Sequence, residues 1–259
     1  MQSTLYIPGQ TGLHHLHPLT KLALTILCLV LAASLSDLIS LLLTFLVVVA
    51  PLAIWGRLLK RLLKNSGAVI VPFLISLSII QGFFTPGITP LFQIGNFVFT
   101  LEGWIAGMTV AARIFLALSG ALLLMLSTRP DMLMLGLTQS GLPQSLAYIV
   151  LTSIQIFPRF QDRATIIMEA QQSRGLELRA SFFKRLRLLV PLISPLVLSS
   201  IVNVEERALA LEARAFSRPG TKTSLIALKD SLAQRLLRSF LVLLMLALIA
   251  FRVWQVFSS

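Results

Sequence analysis

Residues 38–55 read LISLLLTFLVVVAPLAIW, and residues 56–65 continue GRLLKRLLKN. The first stretch carries no charge and approaches the length, roughly 20 residues, at which a helix crosses a bilayer. The second sets Arg57, Lys60, Arg61 and Lys64 at spacings of three and four, so the bases share one helical face and the leucines the other. That pattern predicts a short amphipathic helix at a membrane surface. Its cluster of bases places it on the cytoplasmic side.

The same alternation extends outward in both directions. LALTILCLVLAAS at 22–34 is a second apolar run, short for a full crossing, and SLSD at 34–37 reads as the tight turn between the two. A third span is expected at about 67–84 and a fourth at about 103–127. The intervening loop, TPGITPLFQIGNFVFTL at 85–101, has no Lys or Arg and therefore belongs outside. From Arg129 to Arg238 charged and apolar segments alternate; residues 155–238 hold fourteen Lys or Arg against seven Asp or Glu, which reads as a cytoplasmic helical region. Thr128-Arg129-Pro130-Asp131 resembles a helix start. Breaks are expected at Gly141-Leu142-Pro143 and at Pro158, a helix over 159–175 ending at Gly175, and another over 205–216 before a Pro-Gly stop at 219 and 220. Residues 188–204, LLVPLISPLVLSSIVNV, either dip through the membrane or lie between other helices. With a last span at about 237–254, the count is five or six.

Composition agrees. Of 259 residues 56% are hydrophobic and 12% charged, with mean hydropathy +0.87, too little polar surface for a water-soluble domain. The net charge of +12 flanks apolar blocks, so cytoplasmic loops and anionic headgroups account for it and nucleic acid is not implied. The single cysteine, Cys28, lies within an apolar run and reads as packing. The first twenty residues lack a basic region, so no cleavable leader is expected. The fold class is thus all-α: a polytopic membrane protein with five or six transmembrane helices and long amphipathic cytoplasmic helices. Its expected divisions are 1–128, an interfacial segment and four spans; 129–235, the cytoplasmic helical region; and 236–259, the final span and tail.

Familiar catalytic signatures are missing. No phosphate-cradling GxxxxGK[ST] loop, HExxH pair, CxxC or GxSxG turn occurs. His14, His15 and His17 lie within four residues but without an acidic partner, so an interfacial segment is favoured over a metal site. Arg113 stands in an apolar stretch with no neutralising neighbour, which points either to an internal or partner-facing hydrogen bond or to snorkelling toward headgroups.

Two charged stretches resemble each other: EAQQSRGLELR at 169–179 and LALEARAFSRPG at 209–220. Each sets a glutamate, Glu169 or Glu212, ahead of an arginine, Arg174 or Arg214, and follows the arginine with a tiny residue, Gly175 or Ala215. Glu169 and Ser173 are one helical turn apart, and Gly175 reads as a helix cap or a point of close backbone approach. Arg207, Arg214 and Arg218 form a ridge beside Glu205 and Glu212. Low bulk with forward charge suits docking into a groove of a second protein. Ordinary amphipathic surface helices meeting lipid phosphate explain the same pattern, and a Glu169–Glu212 carboxylate pair is a third reading.

At these residues the chain resembles the transmembrane coupling subunit, or T component, of the energy-coupling factor (ECF) transporters, which includes cobalt and biotin T subunits. That family has two short Ala-Arg-Gly-like motifs on cytoplasmic coupling helices. Ser173-Arg174-Gly175 is similar to the first, and Ala213-Arg214-Ala215, followed by Phe216, to the second with alanine in place of glycine. YIPGQTGLHHLHPLTKL at 6–22, Arg113 with STRPDMLMLGL at 127–137, GLPQSLAYIVLTSIQIFPRF at 141–160 and ALALEARAFSRPGTKTS at 208–224 extend the resemblance over nearly the whole chain. The resemblance implies a non-catalytic subunit of an importer in a prokaryotic cytoplasmic membrane, beside a substrate-binding S component and on two ATPase subunits that bind ATP and Mg. No cofactor is expected on this chain. Arg174 and Arg214 would reach into the ATPases, and the cargo would be a vitamin or transition-metal ion. A self-contained secondary carrier or a non-transport membrane scaffold is the alternative; a carrier would favour inverted repeats, and none is evident.

Overall fold

The computed structural model describes residues 11–94, 97–175, 182–216, 218, 228 and 230–258. Ten α-helices and one hairpin are assigned among them: α1 (Gly12–His15), α2 (Pro18–Ser34), α3 (Leu38–Thr44), α4 (Ala50–Trp55), α5 (Leu59–Phe84), β1 (Pro90–Ile94), β2 (Phe97–Thr100), α6 (Leu101–Ser127), α7 (Pro130–Gln139), α8 (Gln144–Ser173), α9 (Phe182–Ala213) and α10 (Leu232–Ser258). A π-helical turn, Phe45–Val49, joins α3 to α4. Helices 8 and 9 form one compact unit, and the other elements form a second.

In the second unit, the His17 side chain caps α2 by accepting from the Leu19 amide at 3.3 Å, with Pro18 at the first helical position, where its missing N–H is not needed. Helix 2 runs antiparallel to α6. The contacts are Lys21 Nζ to the Ser127 carbonyl at 3.0 Å, Thr25 Oγ1 to the Gly120 carbonyl at 3.3 Å, and Arg113 Nε to the Leu35 carbonyl at 3.2 Å. Gly120 makes this approach close, since a methyl there would sit 2.9 Å from Cys28 Cβ. Cys28 is buried beside it, as packing requires. Leu41, Val49, Ala53, Leu62, Leu116 and Leu126, from the elements α3 to α6, belong to the same core. Helix 10 packs on α2 through Leu241 and Met245 against Ala23 and Leu27.

Four of the described helical segments are long and apolar enough to cross a membrane: 38–55, α5, α6 and 232–254 of α10. Helix 2 is a shorter apolar helix of 17 residues. The chain is therefore a multi-pass membrane protein of predominantly helical fold. Three expectations need revision. Residues 59–64 are not a separate surface helix, because α5 runs unbroken from Leu59 through Pro72 to Phe84. Only Gly56, Arg57 and Leu58 interrupt the chain after α4, so the bases sit on the first turns of the span itself. The loop at 85–101 holds an antiparallel hairpin, a small exception to the all-α expectation. Its Phe92 and Phe99 rings stack at 4.8 Å, and Phe83 meets both edge-on. Thr100 closes the hairpin, accepting from the Gly103 amide at 3.2 Å and donating to the Thr85 carbonyl at 2.9 Å. Finally, the helix expected over 205–216 has other bounds: α9 runs from Phe182 to Ala213, takes in 188–204 and stays helical past Pro191 and Pro195.

Candidate functional site

Helices 8 and 9 carry the two arginine motifs that the sequence resemblance singles out. Helix 8 crosses Pro158 without ending, against the break expected there. The pair runs antiparallel in a register fixed at two points. Arg163 Nη2 donates to Asn203 Oδ1 at 2.8 Å and Nη1 to the Ser199 carbonyl at 3.4 Å. Nearer the start of α8, the Tyr148 and Phe216 rings lie 5.1 Å apart. Phe216, a supporting residue in the sequence, is thus the anchor of the end of α9.

Ser173, Arg174 and Gly175 close α8. Ser173 Oγ donates to the Glu169 carbonyl at 3.1 Å, the Arg174 amide to Gln171 O at 3.1 Å, and the Gly175 amide to Gln172 O at 2.9 Å. Gly175 has φ +88, so it is the left-handed residue just past the helix. Of the two roles expected for it, the cap is seen; within this chain a methyl added at Gly175 would touch nothing within 4 Å.

Ala213, Arg214 and Ala215 close α9 the same way. The Ala215 amide donates to Glu212 O at 2.8 Å and the Phe216 amide to Leu211 O at 2.9 Å, the paired bonds of a Schellman cap. Ala215 carries φ +55, a conformation that glycine adopts at less cost. The "tiny residue after arginine" is therefore a backbone requirement as much as a matter of bulk. The same closure ends α7 at Gly141 and α4 at Arg57.

Both arginines consequently project from helix C-termini, where a cation is favoured by the carbonyl end of the helix dipole. Both are exposed, and neither guanidinium has a partner among the described residues. The structure does not bring them together. Arg214 stands beside the Tyr148 end of the pair and Arg174 beyond the last turn of α8, roughly 40 Å away along the helix at 1.5 Å per residue. Glu169 and Glu212 are separated likewise, so they form no carboxylate pair. The ridge expected through Arg207, Arg214 and Arg218 is not one helical face, because α9 stops at Ala213. The Pro-Gly stop at 219 and 220, residues 6–10 of the N-terminal pattern and 219–224 of the last lie outside the described residues.

Arg113 is half-buried and ties α6 to the end of α2. The sequence reading passed over Arg252, which donates from α10 to Ser36 Oγ at 2.9 Å. It carries the same signal that picked out Arg113, a lone arginine in an apolar helix. Arg163, equally overlooked, gave no such signal, since its neighbourhood is polar. His14 Nδ1 pairs with Thr11 Oγ1 at 2.7 Å and His17 Nδ1 with the Leu19 amide, and no three His, Cys, Asp or Glu converge among the described residues.

Residues 9–225 match the family described as CbiQ, cobalt transport protein. The chain belongs to that family. It is also similar to proteins called "Energy-coupling factor transporter transmembrane protein EcfT" from several bacteria. The Thermosediminibacter oceani protein is 26% identical over 237 residues, 86% of this chain and 87% of that one. The Heliobacterium modesticaldum protein is 29% identical over 82% of each, and the Acidaminococcus fermentans protein 27% identical over 97% of this chain and 96% of its own. Membership makes the chain the transmembrane coupling subunit of an ECF-type importer, a membrane component and not itself a catalyst.

Proposed function

We propose that the chain links a pair of ATP-binding cassette ATPases to a substrate-binding S component, and that Arg174 and Arg214 are the contact points with the ATPases. The observation that carries this reading is the matched pair of helix ends: each long helix of one unit stops on an exposed, unpartnered arginine held by a left-handed residue. A guanidinium offers five donors in a planar fork and keeps its charge at any physiological pH, so it can hold carboxylate or carbonyl acceptors while the partner moves. Two such contacts far apart give one on each subunit of a two-fold ATPase pair. ATP and Mg belong to those partners, and closure of the pair would shift α8 and α9 and tip the S component. The cargo class is a vitamin or a transition-metal ion, and selectivity resides in the S component. The membrane is the cytoplasmic membrane of a prokaryote. Helix 2 with the four longer segments gives five spans, six if 188–204 is embedded as well. Residues 1–128 and 236–259 supply the spans and 129–235 the coupling region, with Glu169, Glu212 and Phe216 supporting the motifs.

In a reconstituted complex of this chain with its ATPases and S component, Arg174→Ala or Arg214→Ala should lower ATP-driven uptake by about ten- to a hundredfold, the worth of a charge-assisted hydrogen bond. Membrane insertion should be unchanged, the double change worse, and Arg→Lys only a partial rescue. Unchanged uptake with both alanines present would sink the assignment.

A further inference from the structure

We infer that the turn between α2 and α3 is an outer-leaflet phospholipid site, in which Arg113 and Arg252 hold one lipid phosphate. The two arginines come from different helices, α6 and α10, and converge on consecutive residues: one donates to the Leu35 carbonyl, the other to the Ser36 hydroxyl. Each guanidinium spends one donor on the turn and makes no other hydrogen bond among the described residues. Asp37 is exposed beside them and takes part in no ion pair among the described residues. Two guanidiniums and one carboxylate leave a local charge of +1, complementary to a single phosphodiester.

Depth makes the ligand a lipid. The bases after α4 mark the cytoplasmic side, and α1 lies there too, since Gly56 faces Leu13. Lys21, which bonds His14 and Ser127, belongs to the same side, as does Arg238, one turn past the Gln234 that accepts from the His17 amide. From Lys21 to Leu35 on α2, and independently from Arg238 to Arg252 on α10, is fourteen residues, or about 21 Å of helix. A bilayer core is about 30 Å thick. The arginines therefore stand well short of an undisturbed outer surface, where a charge in hydrocarbon is costly and marks a functional group with a partner.

Helix 6, by contrast, continues about 18 Å beyond Arg113 to Leu101. It and α5 expose Phe73, Ile79, Ile80, Phe84, Trp104 and Ile105 along that extension, an apolar surface that holds lipid tails at full thickness. The turn between α2 and α3 is thus the short side of the molecule; α6 stands taller, and α10 itself runs on past Arg252 to Ser258. Lipid headgroups that step down over the short side satisfy both heights, because short spans thin the bilayer locally. The planar fork of each arginine suits phosphate oxygens. This inference needs only the membrane-spanning fold, not the ATPase contacts.

The test uses the full chain in nanodiscs of phosphatidylglycerol and phosphatidylethanolamine. A nitroxide is placed at Ile39→Cys, exposed at the start of α3 and not bonded to either arginine, in a Cys28→Ala background, and its collisions with oxygen and with a water-soluble nickel chelate are measured. The expected result is a label at headgroup depth, reached by both reagents. A label at the bilayer midplane, reached by oxygen alone, overturns the proposal, as does one shielded from both by protein. Native mass spectrometry supplies the second reading. The Arg113→Gln, Arg252→Gln double variant should retain its tightest-bound phospholipid about tenfold less than the parent chain. Equal retention overturns the proposal. The labelled chain keeps both arginines, so its result stands even if the double variant fails to fold.

Discussion

Helices 5 and 6 and helices 8 and 9 are both antiparallel pairs of long helices, yet they are built on opposite principles. The first pair is joined by absence of side chain: Gly103 lies against Gln81 and Gly82, Gly107 against Leu77 and Ser78, and the helix backbones meet directly. The second is joined by polar and aromatic reach, through Arg163 to Ser199 and Asn203 and through Tyr148 to Phe216. Ala147 is the buried residue of α8, whereas α6 buries ten. Close backbone contact resists shear, and a few long side chains permit it. The difference separates a close-packed membrane core from a helix pair held by fewer ties, which is what the proposed coupling role would require of it.

The largest effect should come from attacking the first pair. Leucine at Gly103 would drive its Cβ into the Gln81 carbonyl, and at Gly107 it would lie 2.7 Å from the Leu77 oxygen; backbone cannot yield as a side-chain tip can. Either change should cost several kcal/mol, about 3 or more, and abolish a monodisperse, heat-stable chain in detergent chromatography. A normal melting temperature for Gly107→Leu would show that the pair is looser than its geometry.

In the second pair, Arg163→Ala removes both polar ties and leaves Asn203 bonded only within its own helix, to the Ser199 carbonyl. The expected loss is about 1–3 kcal/mol, confined to that unit. Hydrogen exchange should quicken along α8 and α9 while α5 and α6 keep their protection. Equal quickening in both pairs would erase the contrast.

The helical spans were legible because apolar runs of span length and a lone Arg113 are local properties of sequence. The two arginine triplets stand out in the sequence too, but the reason for their final small residue does not. A left-handed φ is a property of backbone geometry, and Ala215 gives no more sign of it than Ala208 does. Continuity was misjudged where local propensity lost to context. The basic turn at 59–64 joins its span, and Pro158 sits inside α8 because the helical turns on either side outweigh one proline. The convergence of Arg113 and Arg252 on one turn was out of reach, since it depends on which helices become neighbours.

A pH effect sharpens the comparison from the packed side. Burial pushes the His17 imidazole below its ordinary pKa, with Asp230 opposing and Arg238 assisting. A histidine whose folded pKa is depressed contributes stability above its unfolded value, near 6.5, and that contribution is lost as pH falls through the folded value. Protonation also removes the Nδ1 acceptor that caps α2. The chain should therefore melt at lower temperature on acidification from pH 7.5 to below the imidazole range, about pH 5. His17→Asn, which keeps a capping oxygen without a titrating ring, should flatten that dependence. An unaltered slope in the variant would assign the acid sensitivity elsewhere.

The smallest effect, and the finest test of how the arginines are presented, lies at Ala215. An L-residue at φ +55 pays a steric penalty on the order of 1 kcal/mol that glycine avoids, offset in part by glycine's greater freedom when unfolded. Ala215→Gly should thus tighten the end of α9 by about 0.5–1 kcal/mol, and Gly175→Ala should loosen the end of α8 by a similar amount. Exchange of the Ala215 and Phe216 amides, which close the cap on Glu212 and Leu211, reads the first directly. It should slow by about two- to fivefold in the glycine variant. Because Arg214 keeps its side chain, any change in uptake would reflect how firmly the guanidinium is aimed. Faster exchange at 215 and 216 would mean that the left-handed cap is not what holds Arg214 in place, and that its presentation depends on Phe216 and Tyr148 instead.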